Sequence, residues 1–215
     1  SKFNNPRIEV IFHEQNLGVG GAMKTGYARA LELQSDVIIK IDGDGQMDAS
    51  NIPQMVQLIV KNEADYIKGN RFFDIDAVRN MPKNRIIGNL LLSFFAKFST
   101  GYWRLFDPNN GFTAVSGLAL SQINLRKLDN GYFFESDMLF RLYLARAFVI
   151  DLPMGAKYGS EISNLKIRKV IFEFPYKHFR NFLKRIIDVG FSIDDFNDWI
   201  SLGETFFTHY KSLIV

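Results

Sequence analysis

The chain has 215 residues, 47% of them hydrophobic, which suffices for one substantial core with an appendage and argues against a two-domain enzyme. Its 26 basic residues stand against 23 acidic ones, a net charge of +3 that is too even to imply a nucleic-acid partner, and none is expected. The absence of cysteine excludes disulfides, thiolate metal sites and cysteine nucleophiles, and the three scattered histidines, His13, His178 and His209, lack the pairing of a zinc site.

The opening Ser1-Lys2-Phe3-Asn4-Asn5-Pro6 is neither a signal nor a transit peptide, and no apolar run reaches the roughly 18–20 residues of a spanning helix. Ile8–Phe12 reads as a short strand. A glycine-rich turn leads from it into a helix expected over about 22–33. Asp36–Ile41 is β-branched and nearly all apolar, as in a parallel strand covered on both faces. Ile52, Met55, Val56, Ile59 and Val60 then recur at helical spacing, and Asp65–Gly69 reads as a further strand. This alternation is an α/β signature. Further along, 86–98 and 136–145 read as helices and 113–123 as a mixture of strand and helix. Near the carboxyl end Phe179, Phe182, Leu183, Ile186 and Ile187 share one helical face, and Lys177, His178, Arg180, Lys184 and Arg185 fill the remainder. That basic amphipathic pattern suits either docking on a membrane surface or packing on the domain with a solvated basic side.

The sharpest chemical feature is Asp42-Gly43-Asp44-Gly45-Gln46 at the carboxyl end of a predicted buried strand, the edge where open parallel sheets bind ligands. Residues two apart on an extended chain project to one side, so Asp42, Asp44 and Gln46 present oxygen ligands together. Oxygen ligation suits Mg²⁺ or Mn²⁺, which hold a diphosphate and neutralise it as it departs. A calcium-binding EF-hand would need glycine at Met47 and glutamate at Pro53, and is rejected. A haloacid-dehalogenase-type phosphatase also carries paired aspartates after a strand, but with threonine or valine at the position of Gln46. It stands as the enzymatic alternative. The stretch Asn16–Gly26 opens a helix with glycines, an arrangement that favours anions and equally suits a tight connection between elements.

The ordered set Asn-x-Gly-x-Gly-Gly-Ala from Asn16, Asp42–Gln46, Gly69-Asn70-Arg71-Phe72, Met81-Pro82-x-x-Arg85, Asp107–Phe112 and Gly131–Asp137 closely resembles the family 2 inverting glycosyltransferases. Within them it is most similar to the branch of dolichyl-phosphate mannose synthases and bacterial polyprenyl-phosphate sugar transferases, over about Glu9–Ser163. The resemblance implies a GT-A fold, a Rossmann-like and mostly parallel α/β sheet flanked by helices, with an acceptor-side half from about Asn80 onward. It implies that Asp42 lies against the nucleotide sugar with Gly20 and Lys24, that Asp44 and Gln46 hold Mg²⁺ or Mn²⁺, and that Arg71 and Arg85 bind phosphates. Glu135 and Asp137 fall where the wider family carries an acidic acceptor-side motif, one member of which is the general base for a hydroxyl acceptor. A polyprenyl-phosphate acceptor is already ionised near neutral pH, and there these residues would position the acceptor or a loop.

Family members ordinarily begin with further strands that hold the nucleotide base, and this chain starts after them. The expected organisation is thus a glycosyltransferase domain over 1–165 lacking its first strands and a basic, membrane-proximal helical tail over 166–215. The expected partners are a GDP- or UDP-sugar, a polyprenyl-phosphate or glycan acceptor and an anionic membrane surface, at the cytoplasmic face of a membrane. A truncated module that binds without catalysing is the non-enzymatic alternative.

Overall fold

A computed structural model describes residues 5–45, 47–71, 83–108, 110–154 and 167–189. Four strands form one sheet in the order β1 (Val37–Lys40), β3 (Thr113–Ser116), β2 (Tyr66–Asn70), β4 (Val149–Pro153). β3 runs antiparallel to both of its neighbours and β2 pairs parallel with β4, so β1, β2 and β4 share one direction. The sheet is mixed, with three of its four strands parallel in sense.

Helices cover both faces. On one side α1 (Gly18–Glu32), α4 (Gly117–Ser121) and α5 (Phe134–Leu144) close a core of Tyr27, Tyr66, Val115, Leu120, Phe134 and Met138. On the other, α2 (Ile52–Val60) packs Met55 and Ile59 against Ile67, Phe112, Ala114 and Leu152. Adjacent strand residues such as Tyr66 and Ile67 thus feed opposite cores, the period of two that a doubly covered strand requires. Beyond α5, the long helices α3 (Lys83–Thr100) and α6 (Ile167–Val189) pair with each other, Phe98 stacking on Phe182 at 3.9 Å between ring centres.

Three expectations change. Ile8–Phe12 forms no strand, and Ile8, Val10, Ile11 and Phe12 are exposed. A strand is stable only where its amides and carbonyls find a ladder, and no described strand pairs with this run. β1 is only partly covered while β2 is buried throughout, because the order of strands puts β1 at an edge. Finally, of the two readings of α6, packing on the domain through the apolar face is the one that changes. Its inward stripe is Phe174, His178, Asn181 and Arg185, all buried, whereas Tyr176, Phe179, Leu183 and Ile187 are exposed. The inward stripe is held by contacts of its polar residues: His178 Nδ1 lies 2.7 Å from Ser99 Oγ, Asn181 donates to Asp137, and the Arg185 guanidinium lies over Tyr143 and Phe182.

Candidate active site

The carboxyl ends of β1 and β2 and the loop entering β3 meet at one edge of the sheet. Register carries a polar row across all four strands there: Lys40 and Lys68 both lie opposite Thr113, and Lys68 lies opposite Asp151. Two lysines inside otherwise apolar strands need counter-charges, and Glu135 at the start of α5 supplies one. Its Oε1 is 2.9 Å from Lys40 Nζ and its Oε2 is 3.6 Å from Lys68 Nζ. Lys68 also donates to the Asn110 carbonyl at 2.6 Å. Burial tends to lower the Lys40 pKa, but Glu135 and Asp42 together raise it above the usual lysine value. Burial dominates at Lys68 and lowers it.

Asp42 follows β1 by two residues and stands at the boundary between this buried layer and solvent. Its Oδ1 is 2.9 Å from Lys40 Nζ, and its side chain is 42% exposed. Asp44 is exposed beyond it. A Cβ at Gly43 or Gly45 would meet nothing within 4 Å among the described residues, and Gly45 has φ +73°. The loop therefore offers carboxylate oxygens around an uncrowded backbone, a donor set that fits a hard divalent cation keeping several of its waters. Gln46 lies outside the described residues, as does the side chain of Arg85.

The loop Asp107–Phe112 closes the site from the β3 side. Arg71 clasps Asp107 with Nε to Oδ2 at 2.7 Å and Nη2 to Oδ1 at 3.0 Å, a bidentate pair. Asn110 donates to the Gly69 carbonyl and accepts from the Phe112 amide, tying that loop to β2. Asp151 accepts from Asn70 and from the Phe106 amide, and burial pushes its carboxyl up to about 6.

Asp137, two residues after Glu135 on α5, is buried and accepts from Arg141, the Asp129 amide and Asn181. Gly20 and Lys24 meet the neighbouring loop: the amides of Gly20 and Gly21 donate to the Asn130 carbonyl, and Lys24 Nζ donates to Asn130 Oδ1 at 2.6 Å. A Cβ on Gly20 would stand 2.1 Å from the Asp129 carbonyl oxygen, so close approach of this loop is one reason for glycine there. The structure thus gathers Asp42, Glu135 and, beside them, Asp44 at one edge, and it places Gly20, Lys24 and Asp137 around the 128–131 loop. Sequence reasoning missed Lys40, Lys68 and Asp151. The available signal was a charged residue inside a strand that is otherwise apolar or fully covered.

The mixed sheet covered by helices on both faces, with Asp42 and Asp44 just beyond β1, is an α/β fold of the GT-A type. Residues 1–123 match the model for glycosyl transferase family 2, and the chain belongs to that family. The phosphatase alternative is thereby set aside. Over 118 residues the chain is 37% identical to the UDP-N-acetylglucosamine–dolichyl-phosphate N-acetylglucosaminyltransferase of Methanococcus voltae, covering 55% of this chain and 47% of that protein. It is 26% identical over 151 residues to the undecaprenyl-phosphate mannosyltransferase of Micrococcus luteus, covering 70% of this chain and 61% of the relative. The chain therefore spans only part of the length of these relatives. In fold it is similar to glucosyl-3-phosphoglycerate synthase from Mycobacterium tuberculosis, at a TM-score of 0.51 and 18% identity over 84% of this chain and 57% of that one.

Proposed function

We propose that this chain carries the reaction centre of an inverting glycosyltransferase that moves a sugar from a nucleoside-diphosphate donor to a polyprenyl phosphate at a membrane surface. The observation that carries the acceptor assignment is the state of the two acidic residues on the acceptor side. Glu135 is covered and engaged by Lys40 and Lys68, and Asp137 is covered and engaged by Arg141, Asn181 and an amide. Neither presents an exposed carboxylate to take a proton. A hydroxyl acceptor would require such a base, whereas a phosphate monoester is already an anion. The two relatives above are named for lipid-phosphate acceptors, which agrees with this reading.

In this reading an acceptor phosphate oxygen attacks the anomeric carbon from the side opposite the diphosphate. The new C–O bond forms as the bond to the β-phosphate oxygen breaks, and its electron pair leaves on the nucleoside diphosphate, so no proton transfer or covalent enzyme intermediate is needed. Asp42 orients the nucleotide sugar, with Gly20 and Lys24 on the donor side. Arg71, braced by Asp107, and Arg85 bind phosphate oxygens. Asp44 and Gln46 would hold Mg²⁺ or Mn²⁺, which when bound neutralises the departing diphosphate. A solved structure of the mycobacterial synthase contains Mn²⁺ and UDP-glucose, which supports a divalent cation in this fold.

The membrane face in this proposal is the outer stripe of α6. Tyr176, Phe179, Leu183 and Ile187 recur at helical spacing and are exposed, Leu91 and Phe94 on α3 are exposed as well, and Arg180 and Lys184 stand on the exposed side of α6. An apolar stripe beside cations suits the cytoplasmic face of an anionic bilayer. Among the described residues no helix is long and apolar enough to cross one.

The test is transfer of radiolabelled sugar from UDP-N-acetylglucosamine and GDP-mannose to a short polyprenyl phosphate, by the polypeptide carrying this chain at its natural length. Calorimetry of UDP and GDP binding with and without Mn²⁺ accompanies it. Product linked through phosphate, with cation-dependent nucleotide binding, is the expected result. Transfer only to a glycan hydroxyl would overturn the acceptor assignment, and absence of both binding and transfer would leave a non-catalytic module.

A further inference from the structure

Lys40 is the best-connected side chain at the site. An ammonium has three protons to donate, and here it has three acceptors: Asp42 Oδ1 at 2.9 Å, Glu135 Oε1 at 2.9 Å and the Gly111 carbonyl at 3.0 Å. With its side chain 4% exposed and every donor used, Lys40 has nothing left with which to hold a substrate. Its one link toward solvent is Asp42. Glu135 and the Gly111 carbonyl hold the ammonium, and the ammonium holds Oδ1 of Asp42, while Oδ2 lies against the Cα of Gly111.

Gly111 is the second half of the device. A Cβ at this position would stand 2.3 Å from Asp42 Oδ2 and 2.4 Å from Lys40 Nζ. Both of those atoms are side-chain ends, so an added methyl displaces the pair and not the backbone. Such a methyl moves the carboxylate. Charge makes the same point: Lys40 and Lys68 balance Asp42 and Glu135, and loss of Lys40 would leave a net negative layer facing an incoming diphosphate.

Resting on the glycosyltransferase reading above, we infer that Lys40 and Gly111 are positioning residues for the donor: Lys40 pins Asp42 through one carboxylate oxygen, and the bare Cα of Gly111 leaves the room in which the pinned carboxylate sits. Neither residue touches substrate. Displacing a contact by about 1 Å costs on the order of 100-fold in rate, and the loss falls on the donor because Asp42 is the donor's residue.

The experiment is steady-state kinetics of Lys40→Met and Gly111→Ala in the natural-length polypeptide, varying donor and acceptor separately, with a melting curve for each variant. The expected result is a fall of about 100-fold in kcat/KM for the nucleotide sugar, with the acceptor KM within about twofold of wild type. Gly111→Ala should melt near wild type, and it decides the matter if Lys40→Met fails to fold. Wild-type donor kcat/KM in folded Gly111→Ala overturns the inference, and so does an equal loss in donor and acceptor parameters, which would mark general damage. A wild-type protein that neither binds nor transfers a nucleotide sugar overturns the underlying functional reading instead.

Discussion

The two storeys of the site differ in how deeply their charges are buried. Below, Lys40, Lys68 and Glu135 are buried among strands and a helix start, and each charge has a partner close by. Above, Asp44 is exposed and Asp42 is half-exposed, on a loop where a Cβ at Gly43 or Gly45 would meet no atom of the described residues within 4 Å. A charge in a low-dielectric layer must be paired to be tolerated, whereas a ligand site must keep valence for something not yet bound. The lower storey is therefore where substitutions should unfold the protein, and the upper where they should silence it without unfolding.

The largest expected effect is on the upper storey. Asp44→Ala should lower turnover by about 100-fold or more, in line with loss of a group that stabilises developing charge, and should leave the melting temperature unchanged; a matching loss of stability would erase the contrast. On the lower storey, Glu135→Ala leaves two lysines without their shared carboxylate and should cost about 3–5 kcal/mol in urea unfolding, the range for breaking a buried pair.

Two pH effects sharpen the comparison further away. Burial among Phe133, Phe174 and Phe95 pushes His178 down to about 3, well below an unfolded histidine. The neutral ring's contribution is intact above about pH 6.5 and drains away as pH falls toward 3, by up to about 1.4 kcal/mol per pH unit. Chemical denaturation at pH 7 and pH 5 should show that slope in wild type and lose most of it in His178→Phe. Asp151 behaves oppositely. Its carboxyl is raised by burial to about 6, so its contribution is present below about pH 4 and is lost as pH rises through 6. Asp151→Asn keeps an oxygen for Asn70 and the Phe106 amide, and should stabilise by on the order of 2 kcal/mol at pH 8 and little at pH 4. A flat difference between the variants across that range would remove burial as the cause.

The smallest effect concerns the outer stripe of α6. Leu183→Ser with Ile187→Ser should weaken co-sedimentation with anionic vesicles by about tenfold, as removal of two apolar anchors predicts, and leave donor binding alone. Phe182 is a poor choice for this test, since it is half-buried and stacked on Phe98 of α3.

Much of this was legible in the letters. The strand Val37–Lys40, the helix Ile52–Val60, the strand Tyr66–Asn70 and the strand-to-helix passage from Thr113 to Ser121 follow from local periodicity and β-branching, and each forms near where it is expected. The family, too, rests on an order of short motifs that needs no coordinates. β4 escaped notice because Val149–Pro153 is short and carries Asp151 in its middle, which local pattern reads as a loop. Its strand character depends on Tyr66–Asn70 lying alongside in parallel.

What tertiary structure alone decided is which groups meet. Lys40, Gly111 and Glu135 are far apart in the chain, and only the β1–β3 register and the seating of α5 bring an ammonium, a carbonyl and a carboxylate within 3.0 Å. The choice of buried face on α6 has the same origin. A helical wheel reports which residues share a face, but the identity of the buried face is set by the partners available, and here Ser99, Asp137 and Tyr143 accommodate polar side chains while the apolar stripe is left outward. Sequence alone determined the local elements and the family, because both are written in neighbouring residues. The pairing of distant charges and the choice of buried face belong to the fold, because their energies depend on atoms that the chain brings together only when it closes.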